Sequence, residues 1–543
     1  MKKTFFALVA TLLFWSNAQA QKYLVLLKDK NGTSFSVNQP DAFLSKRAIE
    51  RRTRQRIGIT PRDLPVSANY VSQIQRTGAK IWYTSRWLNA VLVEANAAQL
   101  TAIKALPFYQ GLEFGRALAG ARVSAERETA HKFGTEAIDY GASQSQIQML
   151  GVEKMHEQGF RGEGMLIGIL DSGFQNSDKN PALLPLFNDK RVLSTFDFVK
   201  KETSVYEDDS HGNNVFSIMA SYREGSLVGP AYRASYVLLR TEDAGSETRL
   251  EEANWLIGAE YADSIGVDII NSSLGYNEFD NPAEDYKYAD MNGRTALASR
   301  AATWAAKTGM VVVVAAGNDG NKPWRFIATP ADADSILAIG AVASNRSLAA
   351  FSSIGPSADG RIKPDVCAQG VSTVLSNQSG NVVPGNGTSY SSPLVAALVA
   401  GFWQAYPQLS AAQVIDCIRK AGHIYTTPNA QFGYGIPTFE KAVAVVQREY
   451  ILSIAPSESL LESSYVAPNP FSQTPTLRLS PQITGQTVAL SLTDLTGRSH
   501  WQSSFTALGE PVSLPFSASL PAGLYFLRLN SGKRTEMLKI VKQ

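Results

Sequence analysis

At 543 residues, 44% of them apolar and 18% charged, the chain is too long for one domain and too apolar to be disordered. About two to four domains are expected at this length. A formal net charge of +3 is small for this size, so overall charge gives no reason to expect a nucleic-acid partner.

The first twenty residues have the pattern of an export signal. Lys2 and Lys3 precede an apolar stretch from Phe5 to Trp15, and Ala18-Gln19-Ala20 supplies a small-residue cleavage pattern. The stretch is too short to span a bilayer, and no later segment is long enough. A mature chain beginning at Gln21 or beyond is expected. Export would put Cys367 and Cys417 in an oxidising compartment, where one disulfide and two buried thiols both stay open.

A first unit runs from Lys22 to about Phe114. Strands are expected at Tyr23–Leu27, Lys80–Ser85, Ala90–Glu94 and Tyr109–Phe114, with helices at Val66–Gln75 and Ala97–Leu106. That order is the split βαβ pattern of an α+β domain. The basic run Lys46, Arg47, Arg51, Arg52, Arg54, Arg56 reads as a solvated helix face, not as a nucleic-acid patch. From about Gly115 to Tyr140 apolar periodicity is lost, as in an exposed connector where processing is easy.

Beyond Ser143 short apolar runs alternate with helical periods. The runs are Met165–Leu170, Tyr236–Arg240, Val267–Asn271, Met310–Ala315 and Ile336–Val342, with helices at Leu250–Ala262 and Ala296–Thr308. This is the signature of an α/β domain, a doubly wound parallel sheet covered on both faces. After about Glu449, prolines punctuate alternating segments such as Leu477–Leu479, Thr487–Leu492 and Leu524–Leu529, which suits a small β-sandwich. The expected divisions are 1–20, 21–115, a linker at 116–142 holding the processing site, 143–447, a linker at 448–465, and 466–543.

Four local patterns carry chemistry. Asp171-Ser172-Gly173 follows an apolar run, so Asp171 is expected at the carboxyl end of a buried strand, where open α/β sheets place ligands. His211-Gly212 opens a helical stretch, with Asp209 or Ser210 as its cap. In Asn386-Gly387-Thr388-Ser389, small residues precede a serine at the start of an all-round apolar helix, which is expected to be buried. There the free N–H groups and the dipole favour a developing anion. Pro393 suits that helix's first turn. Asn318, after the run ending at Ala315, offers a neutral amide donor. Each alone is weak: a turn, a structural histidine, a helix cap and another turn. An acid, a base and a hydroxyl in the order Asp, His, Ser are the parts of a charge-oriented acyl-transfer site.

These residues resemble the motifs of the subtilisin-like serine proteases, or subtilases, over about Ser143 to Gln447. The resemblance implies a peptide-bond hydrolase with Ser389 as nucleophile, His211 as general base and acid, and Asp171 as the orienting carboxylate. Asn318 and the Ser389 N–H would form the oxyanion hole. Ser273-Leu274-Gly275 resembles the family's substrate-pairing edge, with Gly275 and Gly317 leaving room for the first specificity side chain. Thr329-Pro330 resembles its cis-proline position. The family implies no required cofactor and no catalytic metal, and it allows structural calcium, for which no acidic cluster in the sequence is distinctive enough to name ligands. Two departures stand out. Asn213-Asn214 replaces the usual second histidine, and Tyr390-Ser391 replaces the usual Met-Ala.

The first unit looks like a propeptide that inhibits such proteases and assists their folding. The C-terminal pieces Ala467-Pro-Asn-Pro-Phe471, Leu495-Thr-Gly-Arg498 and Leu520-Pro-Ala-Gly-Leu-Tyr-Phe526 resemble the type IX secretion sorting domain of Bacteroidetes-type bacteria. On fold grounds alone an adhesive or carbohydrate-binding sandwich is the alternative. The implied protein is a monomeric, exported serine endopeptidase, secreted or at the cell surface of a Gram-negative bacterium. Its partners would be protein or peptide substrates, its own propeptide and the type IX machinery. An inactive subtilase-fold binding protein is the rival reading. An esterase of the α/β-hydrolase type is disfavoured, because those place serine first within Gly-x-Ser-x-Gly.

Overall fold

The computed structural model describes residues 20–118, 138–451, 464–480, 483–494, 498–516, 520–532 and 534–542. The expected export signal, Lys2 and Lys3 included, and most of the expected connector lie outside the described residues. The chain divides into two compact units, Met1–Val445 and Val446–Gln543.

The first unit begins with β1 (Gln21–Leu27), α1 (Lys46–Arg54), α2 (Ala68–Arg76), β2 (Lys80–Ser85), β3 (Ala90–Ala95), α3 (Ala97–Lys104) and β4 (Tyr109–Leu112). The strands pair antiparallel in the order β2-β3-β1-β4, which is the split βαβ arrangement. Alternation divides their side chains between two cores. Val25, Leu27, Val91 and Val93 pack with Ile74 and Ile103 of the unit's own helices. Leu24, Leu92 and Trp87 join the large core of the central domain. This sheet therefore has an apolar second face because another domain covers it.

The basic run is not a solvated face. It forms α1, whose Arg51 and Arg52 are buried at 1% and 2% exposure. Arg51, Arg52 and Arg86 all pair with Asp263, which is itself wholly buried. Arg47 pairs with Asp268. Lys46, Arg54 and Arg56 are exposed, as the sequence suggested for the whole run. A basic stripe looks the same in sequence whether it meets water or a partner carboxylate. Glu260 completes the junction, accepting from Ser85 Oγ at 2.5 Å and from the Arg86 and Trp87 N–H groups at 2.8 and 3.1 Å.

Asp263→Ala would leave the buried Arg51 and Arg86 without an ion pair, while Arg52 keeps Asp63 at 2.9 Å. Breaking such a buried pair costs about 3–5 kcal/mol. Denaturant unfolding of the uncleaved chain should show that loss, and a change under 1 kcal/mol would refute it. Burial alone would raise the Asp263 carboxyl, but Arg51, Arg86 and Arg52 outweigh it and hold it below its usual value. Its contribution is therefore complete above the unfolded value of about 3.9 and lost as the pH falls through the lower folded one.

The central domain is built on seven strands: β5 (Leu166–Asp171), β6 (Val192–Asp197), β7 (Ser235–Arg240), β8 (Ile269–Ser272), β9 (Val311–Ala315), β10 (Leu337–Val342) and β11 (Val366–Gln369). All pair parallel, in the order β11-β10-β9-β8-β5-β7-β6. From β5 the chain goes out to β6 at the edge, returns to β7 beside β5, then crosses to build β8 to β11 on the other side. The carboxyl end of β5 is thus a topological switch point, where a crevice opens. Helices α4 (His211–Ala220), α5 (Arg249–Ile265), α6 (Leu297–Lys307) and α7 (Thr388–Ala405) cover the sheet. As its all-round apolar pattern required, α7 is buried from Ser391 to Trp403. Cys367 and Cys417 are buried thiols, not joined in a disulfide.

In the second unit, Tyr465–Ala467, Thr476–Arg478 and Val512–Ser513 form one antiparallel sheet, and Ser499–Thr506, Thr487–Asp494, Gly523–Ser531 and Arg534–Lys542 form another. Val488, Leu490 and Leu492 alternate inward to share one core with Leu477, Phe471 and Phe516, which makes the unit a sandwich.

Candidate active site

Asp171 ends β5 and is wholly buried. Its Oδ1 lies 2.7 Å from His211 Nδ1 and also accepts the Ser172 N–H at 2.9 Å. His211 opens α4 and keeps 30% of its side-chain surface. Asp209, not Ser210, secures that helix start: its Oδ1 accepts the His211 N–H at 2.8 Å and the Ser172 hydroxyl at 2.7 Å. The close approach of helix and strand depends on Gly212, where a Cβ would fall 2.4 Å from the Gly173 carbonyl oxygen and 3.0 Å from Asp171 Cβ.

Burial by itself would lower the His211 imidazole. The charge and hydrogen bond of Asp171, followed by the charges of Asp209 and Glu242, outweigh it and raise the group to about 9. With Nδ1 directed at Asp171, Nε2 is the nitrogen left for other chemistry.

Ser389 is the second residue of α7 and is 8% exposed. Pro393 lies in the second turn of this helix, not the first, because the helix already begins at Thr388. Its ring nitrogen has no hydrogen to give to the carbonyl of Ser389 four residues earlier. That carbonyl accepts instead from Ser273 Oγ at 2.9 Å. The Ser389 hydroxyl donates to the Ser273 carbonyl at 3.3 Å. Among the described residues no hydrogen bond joins it to His211. Tyr390, the next residue, lays its ring against the His211 ring at 6.0 Å and 28°, which places serine and histidine in one cleft.

Asn318 follows β9. Its Oδ1 accepts both the Thr388 N–H at 2.8 Å and the Thr388 hydroxyl at 3.0 Å, so it closes the start of α7 from outside. Those bonds turn Nδ2 toward the serine. A Cβ built on Gly387 would lie 3.8 Å from Asn318 Nδ2 and 3.6 Å from the Ser389 nitrogen. Two N–H donors therefore border one small space, one of them a helix N–H with no partner inside the helix.

Ser273, Leu274 and Gly275 continue beyond β8. Ser273 and Leu274 are buried, whereas Gly275 is exposed. Leu274 and Gly275 have no backbone hydrogen-bond partner among the described residues, and pairing resumes at Tyr276 with Thr329. A Cβ on Gly275 would meet Ala328 Cβ at 3.2 Å, and one on Gly317 would meet it at 3.7 Å and Ser353 Oγ at 2.8 Å. The two glycines thus flank one hollow against Ala328. The Thr329-Pro330 bond is cis.

Asn213 is buried, accepting from Ser177 Oγ and Asn180 Nδ2 at 3.1 Å each and donating to the Ser376 carbonyl at 3.0 Å. It ties the helix carrying His211 to the strand Thr373–Ser376. Sequence reasoning had no signal for this, nor for the stacking of Tyr390.

One trio of carboxylates among the described residues converges closely enough for an ion: Asp197, Glu202 and Asp208. Two positive charges already face it: Arg240 lies 2.8 Å from Asp197 and 3.2 Å from Asp208, and Lys200 lies 2.7 Å from Asp208. Asp197 Oδ1 is also engaged by the Val199 and Lys200 N–H groups. The trio is held by these ion pairs and backbone donors.

A parallel sheet whose switch-point crevice brings a buried aspartate, a histidine and a serine at a helix start into one cleft is the arrangement of a subtilisin-like serine protease. The chain belongs to the subtilase family, whose model matches residues 162–435, about half the chain. The model of the Peptidase S8 propeptide domain, Bacteroidota, matches 22–132, and that of the secretion system C-terminal sorting domain matches 465–543. Subtilisin DY of Bacillus licheniformis is 32% identical over 282 residues, covering 51% of this chain and 89% of that protein. Subtilisin NAT of Bacillus subtilis subsp. natto is 28% identical over 380 residues, 69% of this chain and 86% of that protein. MycP1 from Mycobacterium smegmatis aligns at a TM-score of 0.45 and 21% identity, covering 60% of this chain and 89% of that one.

Proposed function

We propose that the protein is an exported endopeptidase, made as a zymogen, that hydrolyses peptide bonds through an acyl-enzyme on Ser389. The observation that carries this is the 2.7 Å bond from a buried Asp171 to His211, in the cleft that also holds Ser389. The Ser389 hydroxyl swings from the Ser273 carbonyl to His211 Nε2 and gives up its proton there. Its oxygen bonds to the scissile carbonyl carbon, whose oxygen takes the negative charge between Asn318 Nδ2 and the Ser389 N–H. Collapse breaks the carbon–nitrogen bond, and the imidazolium returns the proton to the leaving amine. Water then repeats the sequence on the ester, restoring the serine.

An extended substrate adds as a strand along Ser273–Gly275, using the free backbone groups there, and its first side chain fills the Gly275–Gly317 hollow. The junction of Arg51, Arg52 and Arg86 with Asp263 supports an inhibitory pro-region that leaves after cleavage between residues 116 and 142. The sorting domain supports export by type IX machinery. Residues 21–115, 143–447 and 466–543 are the proposed domains, joined by linkers at 116–142 and 448–465.

A serine-directed fluorophosphonate probe tests the chemistry. The processed protein should be labelled once, on the peptide containing Ser389, and lose activity in proportion. Processed protein that takes no label would favour a subtilase fold that only binds.

A further inference from the structure

The loop from β7 to α5 and the first turn of α5 carry three glutamates that the proposed chemistry leaves unused: Glu242, Glu247 and Glu251. Glu251 is buried and engaged, accepting the Thr248 N–H at 2.5 Å and the Ser246 hydroxyl at 3.3 Å. Glu242 Oε2 and Glu247 Oε1 are buried atoms with no hydrogen-bond partner among the described residues. The nearby arginines are committed elsewhere, Arg240 to Asp197 at 2.8 Å and Arg249 to Glu252 at 2.7 Å. No ion pair among the described residues includes any of the three glutamates.

A second observation points to the same place. Tyr276 is 1% exposed, and its hydroxyl makes no well-formed hydrogen bond among the described residues but lies against the Glu242 carboxyl, which it lowers. After burial, the influences that push its phenol up are the charges of Glu242, Glu251, Glu247 and Glu252. Buried hydroxyls and carboxylates are costly to leave unmatched, so their convergence implies a partner that this part of the chain does not supply. Burial first, then the charges of Glu247 and Asp171, hold the Glu242 carboxyl well above its ordinary value. Burial, with the charges of Asp280 and Glu252, holds Glu247 at about 7. A cation would relieve both.

Location selects the cation. Glu242 is one of the charges acting on His211, and Tyr276 directly follows Gly275 at the end of the proposed substrate edge. In an extended substrate successive side chains alternate faces. With the first acyl-side residue in the Gly275–Gly317 hollow, the second and fourth point the other way, toward His211 and Glu242.

We propose that Glu242 and Glu247, with Tyr276, form an anionic subsite that selects substrates carrying lysine or arginine at the second or fourth residue on the acyl side of the scissile bond. This rests on the reading of the protein as an endopeptidase with Ser389 as nucleophile. The proposed processing segment, residues 116–142, itself carries Arg116, Arg122, Arg127 and Lys132.

The test uses the full chain, expressed and allowed to process, against fluorogenic peptides varied at the second and fourth positions. At one of them, kcat/KM for arginine should exceed that for alanine at least tenfold. In Glu242→Gln/Glu247→Gln that ratio should fall toward one, and peptides with glutamate at that position should gain. Where the double variant does not accumulate, Glu242→Gln alone gives the same comparison. A wild-type ratio near one at both positions, or a ratio that survives the double substitution, would overturn the proposal. A flat ratio with calcium chloride raising the melting temperature of wild type but not of the double variant would overturn it in favour of a divalent cation. Wild type that cleaves no peptide of either set sinks the underlying endopeptidase reading instead.

Discussion

Ser389→Ala is expected to lower turnover about 10⁶-fold and to leave the full chain unprocessed. The substitution removes one oxygen, whose hydrogen bond in the resting structure, to the Ser273 carbonyl at 3.3 Å, is long. What holds this helix start stays in place: Thr388 bonds Asn318, and Ser273 Oγ bonds the Ser389 carbonyl, a backbone group that alanine keeps. The variant should therefore fold, and the loss should be one of chemistry. Wild type and variant are compared by size on a denaturing gel, and by sequencing the fragments each makes from a denatured protein. Variant chains as short as wild type would mean that another protease matures them. Fragments at the wild-type rate would remove Ser389 from the role of nucleophile.

Asp171→Asn should reduce kcat about 10⁴-fold with little change in fold. The buried amide is nearly isosteric, but it carries no charge to balance the imidazolium and can turn an N–H toward Nδ1, which favours the wrong tautomer. The pH dependence gives a separate signature. Asp171 is the foremost influence raising His211 to about 9, so the imidazole is expected to need deprotonation before it can act as a base. Activity as kcat/KM should climb with pH toward that value. Without the carboxylate the imidazole titrates lower, so the residual activity of the variant should reach its plateau at a lower pH. Identical pH profiles in the two proteins would show that the carboxylate does not govern the histidine.

Much of this was legible because the informative signals are local. Short apolar runs ending in Asp171 or just before Asn318 announce buried parallel strands, and ligand positions follow from strand ends. The apolar helix behind Ser389 could only be buried. The pieces that stayed hidden depend on partners distant along the chain. The charge pattern of α1 does not say that Asp263, more than two hundred residues away, receives Arg51 and Arg52. Nor does Pro393 disclose that the helix starts a turn earlier, since proline is tolerated there once Ser273 satisfies the carbonyl it leaves free. Glu242 and Glu247 are unremarkable loop acids until Tyr276 is found buried beside them. Side chains that cross between elements are invisible to periodicity.

The missing hydrogen at Pro393 has a mechanical result. By leaving one rung of the ladder open, it lets Ser273 bolt the segment that would grip a polypeptide directly to the main chain of Ser389, the proposed nucleophile. Grip and attack then share a single rigid joint, so a guest that seats out of register also drags its carbonyl away from the hydroxyl. Selectivity and speed would be coupled through that joint, and loosening either should cost both.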